Sequence, residues 1–170
     1  MPNGLVRPML LEECVASSTA AEASMIAVIG GDGATTTRGE LRHMAEAVAA
    51  RLTAAGLRPA DRVAVLGRRS AETIAALIGA AMAGVVYVPL DPNAEPSYWR
   101  SVIDDLGVRA LLAEGPLPAG HAISIPVLAV AAPVERLPVN CPDGHVQPRQ
   151  GRQPGDDLFV LTTSGSTGRP

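Results

Sequence analysis

The sequence predicts an α/β fold, a β-α-β-α-β succession built on a mostly parallel sheet. Short apolar runs at 62–66, 85–90 and 108–113 alternate with segments of helical period. The connections are short, and each helical segment carries its own start and stop signals. The run 85–90 is almost continuously apolar, the pattern of a strand buried on both faces. Right-handed crossovers then give parallel pairing.

Composition sets the limits. The 170 residues fit one ordinary domain, and 47% apolar content is enough for a core. Aromatics are only 2%, so that core rests on Ala, Val, Leu and Ile. A net charge of −3 gives no electrostatic case for nucleic acid or an anionic membrane surface. All 14 basic residues are Arg. Cys14 and Cys141 stand apart without a C-x-x-C pattern, as in a reduced, cytoplasmic protein. The N-terminus has no basic region leading into an apolar one, so no signal peptide is expected. Residues 73–90 lack charge over 18 positions, a length that could span a membrane. Gly84 and Pro89 interrupt that run, and a buried helix turning into a buried strand explains it better.

Residues 1–23 read as a lead-in segment with one short helix, and the patterned part of the chain begins at residue 24. Met25 to Ile29 is a strand and Gly30-Gly31-Asp32-Gly33 a hairpin turn. The hairpin turn is preferred to a dinucleotide fingerprint there, because the third Gly of that fingerprint would fall on Thr36. Thr37-Arg38-Gly39-Glu40 is a capping box. Leu41, Met44, Val48 and Leu52 then share one helical face, with Gly56 as the stop. Arg62 to Leu66 is a strand. Ser70 caps the next helix, with Ile74, Leu77, Ile78, Ala81 and Met82 inward and Gly84 at its end. Val85 to Leu90 follows as a strand. Pro96 suits the first turn of a third helix, whose inner face carries Trp99, Val102, Ile103 and Leu106. Gly107 ends it, and Val108 to Ala113 is another strand. Ile123 to Val130 has room for one or two short strands. Eight prolines between 116 and 154 weaken any pattern, and 133–155 reads as a Pro-rich surface loop.

The chemistry lies at the end. Leu158-Phe159-Val160-Leu161 reads as a buried strand, and Thr163-Ser164-Gly165-Ser166-Thr167-Gly168-Arg169-Pro170 follows it. Gly lets backbone approach a ligand closely, converging N–H groups hold anionic oxygens, and Ser and Thr add hydroxyl donors. By themselves these residues also fit a plain polar tail. They are not a Walker A loop, which needs a Lys. Nor are they a nucleophile elbow, which would need Gly where Thr162 stands. His43 falls on the polar side of its helix and is expected to be exposed, and His121 and His145 lie too far from each other and from Cys in sequence to suggest a metal site. Glu12-Glu13, Asp104-Asp105 and Asp156-Asp157 read as solvated or capping pairs. Tyr87 and Asp91 are assigned structure.

Residues 163–170 resemble the phosphate-binding loop T-S-G-[ST]-T-G-x-P of the adenylate-forming enzymes, which include nonribosomal peptide synthetase adenylation domains. Ala83-Gly84-Val85-Val86-Tyr87-Val88-Pro89-Leu90-Asp91-Pro92 resembles that family's A-G-x-x-Y-V-P-[IL]-D-P segment. Thr37 to Leu41 resembles one of its helix starts. The resemblance implies the N-terminal subdomain of an amino-acid-activating adenylation domain, covering roughly residues 24–170. Its parent reaction joins a carboxylate to ATP, as acyl-adenylate plus pyrophosphate, and then transfers the acyl group to a carrier-protein thiol. Thr163, Ser164, Gly165, Ser166, Thr167 and Gly168 would hold the phosphates of ATP, with Mg²⁺ in the complete domain. The implied partners are an amino-acid or other carboxylate substrate, a carrier-protein domain and the remainder of the domain. A catalytic Lys belongs to the small C-terminal domain of the family, so this stretch alone is expected to be inactive. The alternatives left open are a non-catalytic split half that docks to a complementary chain, and a phosphate- or nucleotide-binding module in its own right.

Overall fold

The computed structural model describes residues 10–16, 19–117, 120, 123–130, 153 and 155–162. The Pro-rich stretch falls almost wholly outside them, as do His121, Cys141 and His145. Two short helices, α1 (Leu11–Ala16) and α2 (Ala20–Ala23), stand where one was expected. Thr19 and Glu22 close a second capping box at α2. Leu11 and Val15 of α1 pack against the main core, and Glu12 is only 2% exposed. The solvated reading of Glu12 is therefore corrected: α1 lies against neighbouring helices and draws that side chain inside.

Strand β1 (Ile26–Ile29) pairs antiparallel with β2 (Thr35–Thr37), and the Gly-rich turn joins them as the sequence predicts. Thr37 does two jobs. It ends β2 and caps α3 (Arg38–Ala54), with the reciprocal Thr37–Glu40 bonds of the capping box. Leu41, Val48 and Leu52 are buried on the predicted face. Gly56 takes the left-handed conformation, φ +80°, just past the helix.

The second sheet is wholly parallel. It contains β3 (Arg62–Leu66), β4 (Val86–Leu90), β5 (Val108–Ala113) and β6 (Val127–Ala129), in the order β4-β3-β5-β6. Side chains alternate between two cores. Val63, Val65, Tyr87, Ala110 and Leu112 face α3 and α4 (Ala71–Ala83). Ala64, Leu66, Val88, Leu90 and Leu111 face α5 (Pro96–Asp105). A register slip opposite Arg62 and Val63 lets Val108 and Leu111 share a face despite their odd spacing.

Helix α4 packs on α3 through small residues. A Cβ on Gly79 would stand 2.6 Å from the Ala45 carbonyl oxygen and 2.7 Å from the Val48 Cβ. Ala75, Ala76, Gly79 and Ala80 are therefore buried. This close approach rotates the inward stripe away from Ile74, which is 40% exposed and not inward as expected. Polar ties fix the layers. The Arg51 guanidinium donates to the Val130 carbonyl at 2.6 Å, and Arg62 to the Leu106 carbonyl at the end of α5 at 2.7 Å.

Beyond β4 the chain adds one more extended piece. Tyr87 N–H donates to the Leu158 carbonyl at 3.0 Å, and Val160 N–H to the Tyr87 carbonyl at 2.9 Å. Phe159 forms a parallel bridge to Tyr87. This outer piece is not the buried strand the sequence suggested, since Phe159 is 50% and Leu161 64% exposed. Its other face turns inward: Val160 packs into the α5 core. An apolar run at a sheet edge buries one face only, unless a further layer covers the other.

Candidate functional site

Two places at the carboxyl ends of the parallel strands carry polar chemistry. The order β4-β3-β5-β6 sends the connection after β3 to α4 on one face. The connection after β5 returns through Leu117, Ile123 and Ile125 on the other. Strands β3 and β5 thus flank a topological switch point, where parallel sheets open a crevice.

Glu114, the residue after β5, stands there. It accepts hydrogen bonds from the Ser70 hydroxyl, from the Thr73 hydroxyl at 2.7 Å and from the Arg68 N–H at 3.3 Å. Ser70 meanwhile caps α4 through the Thr73 N–H at 3.1 Å. Gly67 makes room, because a Cβ there would lie 2.1 Å from Thr73 Oγ1 and 3.0 Å from Glu114 Oε1. A cleft of about 750 Å³ opens beside this cluster, walled by Ile29, Gly30, Arg68, Arg69, Ser70 and Ile74. The Ser70 and Thr73 hydroxyls and the Arg68 N–H already donate to Glu114, so the carboxylate acts as a built-in anion at the start of α4.

Burial works to raise the Glu114 carboxyl, but the bonds from Ser70, Thr73 and Arg68 outweigh it and hold it below its ordinary 4.5. The consequence for stability has a definite sign. A lowered folded-state value contributes stability that is present above 4.5 and lost as pH falls through the folded value. Glu114→Gln is expected to destabilise the fold by about 1–3 kcal/mol at pH 7, since the amide leaves donors unmatched. The difference from wild type narrows below pH 4.5, which urea denaturation at several pH values measures. A difference constant across pH would contradict this.

The second place is the end of the outer extended piece. Thr162 lies three residues past the bridge to Tyr87, at the carboxyl end of the sheet. Its hydroxyl shares a 2.6 Å hydrogen bond with that of Tyr98 in the first turn of α5. Thr163, Ser164, Gly165, Ser166, Thr167 and Gly168 follow directly and lie outside the described residues, as does Arg169.

Tyr87 and Asp91 have the structural places assigned to them. Tyr87 is buried in the sheet, and burial together with the Glu114 charge raises its phenol. Asp91 accepts from Asn93 N–H at 2.9 Å, and its carbonyl accepts from the Trp99 indole at 2.8 Å. His43 is exposed on α3. Among the described residues no group of three His, Cys, Asp or Glu side chains gathers for a metal ion, and no helix is long and apolar enough to cross a membrane. Sequence reasoning missed Glu114 and Tyr98. Glu114 follows directly on the last apolar residue of β5, which is a positional signal. Tyr98 had none, since its partner is 64 positions away.

The described residues thus form a parallel sheet whose outer piece ends with Thr162 at the carboxyl end of the strands. The sequence matches the AMP-binding enzyme family over residues 15–170, and the chain belongs to that family. Phenyloxazoline synthase MbtB of Mycobacterium sp. (strain MCS) is 38% identical over 144 residues, which are 85% of this chain and 12% of the relative. The solved structure of VinN with L-aspartate superposes with a TM-score of 0.81 at 31% identity, covering 96% of this chain and 47% of that one. The nonribosomal peptide synthetase FmoA3 superposes with a TM-score of 0.71 at 28% identity, covering 92% of this chain and 16% of that one. The chain therefore spans about an eighth of the first of these relatives and about half of VinN, and its likeness is to adenylation domains.

Proposed function

We propose that this chain is the N-terminal part of an amino-acid-activating adenylation domain of nonribosomal peptide synthetase type, with 1–23 as its lead-in and 24–170 as its partial subdomain. One observation carries the reading: the outer piece runs parallel to β4 and brings Thr162 to the carboxyl end of the sheet. Residues 163–168 start from there. On this reading their hydroxyls and N–H groups hold the β- and γ-phosphates of ATP while a carboxylate attacks the α-phosphorus and pyrophosphate leaves. Gly165 and Gly168 allow the close approach. Nothing in this segment is assigned to Mg²⁺, which comes with ATP. The acyl group of the resulting adenylate passes to a carrier-protein thiol in the cytoplasm, and AMP leaves.

The segment has no Lys, so the family's catalytic Lys has to come from elsewhere, and the segment is inactive alone. Carboxylate-dependent exchange of pyrophosphate into ATP tests this across the common amino acids. The whole protein that carries this segment is expected to show exchange with one or a few acids, and residues 1–170 alone with none. No exchange by the whole protein with any acid would overturn the reading. Exchange by residues 1–170 alone would overturn the inactivity.

The split-half alternative draws on the outward apolar side chains of Phe159 and Leu161, which await a covering layer. Exchange that appears only on mixing this chain with a separate complementary chain assigns it.

A further inference from the structure

We propose that Tyr98 is a positioning residue for the phosphate loop, acting through the Thr162 hydroxyl. The inference rests on the proposed phosphate-binding role of residues 163–168 and adds a residue outside the loop that sets its starting point.

Tyr98 stands on a rigid base. Pro96 opens α5, and the next residue after Tyr98 is Trp99, 1% exposed, with its indole N–H on the Asp91 carbonyl at 2.8 Å. The connection before α5 is closed by its own bonds, Asn93 N–H to the Asp91 carboxylate at 2.9 Å and Ala94 N–H to the Asp91 carbonyl at 3.1 Å. The first turn of α5 is thus fixed to the end of β4.

Thr162 has less support. Among the described residues the outer piece is bonded to β4 around Tyr87, through the Leu158 carbonyl and the Val160 N–H. Side chains of an extended chain alternate, so Thr162 shares the face of Val160, which packs into the α5 core. That parity points the Thr162 hydroxyl at α5, where Tyr98 meets it at 2.6 Å. Among the described residues this is the last hydrogen bond before the loop. A loop that aligns N–H groups on phosphate oxygens loses affinity when its origin drifts, because the alignment must then be re-established at each binding event.

The test uses the whole protein that carries this segment, with Mg·ATP and AMP titrated separately by calorimetry. Tyr98→Phe keeps the ring and removes the hydroxyl. It is expected to weaken Mg·ATP about three- to tenfold, the range for one lost hydrogen bond. AMP, which lacks the β- and γ-phosphates, is expected to bind as in wild type, with the melting temperature unchanged. Thr162→Val gives the same selective loss, and the double variant loses no more than either single one. Equal weakening of ATP and AMP, additive losses, or unchanged ATP affinity in both variants would overturn the role of Tyr98. A wild-type protein that does not bind Mg·ATP would overturn the phosphate-loop reading itself, and Tyr98 with it. The two failures are thereby told apart.

Discussion

Replacing Trp99 with Ala is expected to destabilise the fold by about 3–5 kcal/mol, the range for a large aromatic removed from a core. Trp99 is the largest of the fully buried side chains and anchors α5 on Val88, Leu90 and Leu111. Few alternatives exist, because the chain has one Trp and one Phe. Ala also leaves the Asp91 carbonyl without the indole donor at 2.8 Å. For a domain of this size the melting temperature falls by roughly 2–4 °C per kcal/mol, so a drop of about 6–20 °C follows. Circular dichroism is the suitable probe, since the variant removes the only Trp. Trp99→Phe keeps a ring and loses the donor, and is expected to fall in between. A loss below about 1 kcal/mol for Trp99→Ala would mean that α5 is not held by this side chain.

The helices and strands of the parallel sheet were legible because each carried two independent signals. Helix α3 had both the Thr37–Glu40 box and the Leu41, Val48, Leu52 stripe. Helix α4 had the Ser70 cap and Gly84, which takes φ +73° at its end. Strand β4 had an apolar run too short and too β-branched for a helix. What failed depended on partners distant in sequence. Ile74 fits an inward stripe by spacing, but the approach of α3 at Gly79 selects the Ala face instead. Leu158 to Leu161 read as buried because composition reports apolar content and not position, and an edge piece leaves one face open. Glu12 looks like any surface acid until α1 docks.

The candidate site was legible in a different way. The segment 163–168 stood out by residue type and by its likeness to a family pattern and lies outside the described residues, while the contacts of its neighbours gave no such signal. Thr162 was assigned no partner from the sequence. Its tie to Tyr98 arises because the outer piece pairs parallel with β4 and α5 crosses beside it. The Glu114 cluster likewise joins residues 41 to 46 positions apart across the switch point. Periodicity reports local structure and is silent on such meetings.

The central claim is that residues 163–168 stabilise the phosphates of ATP during adenylation. The most direct measurement is acid-dependent pyrophosphate exchange by the whole protein carrying Ser166→Ala and Thr167→Ala together. Removal of donors aimed at developing charge lowers rates about 10²- to 10³-fold each in comparable sites. At least a hundredfold loss of exchange is predicted, with the melting temperature held as the control for folding. Exchange within about threefold of wild type at an unchanged melting temperature would contradict the account.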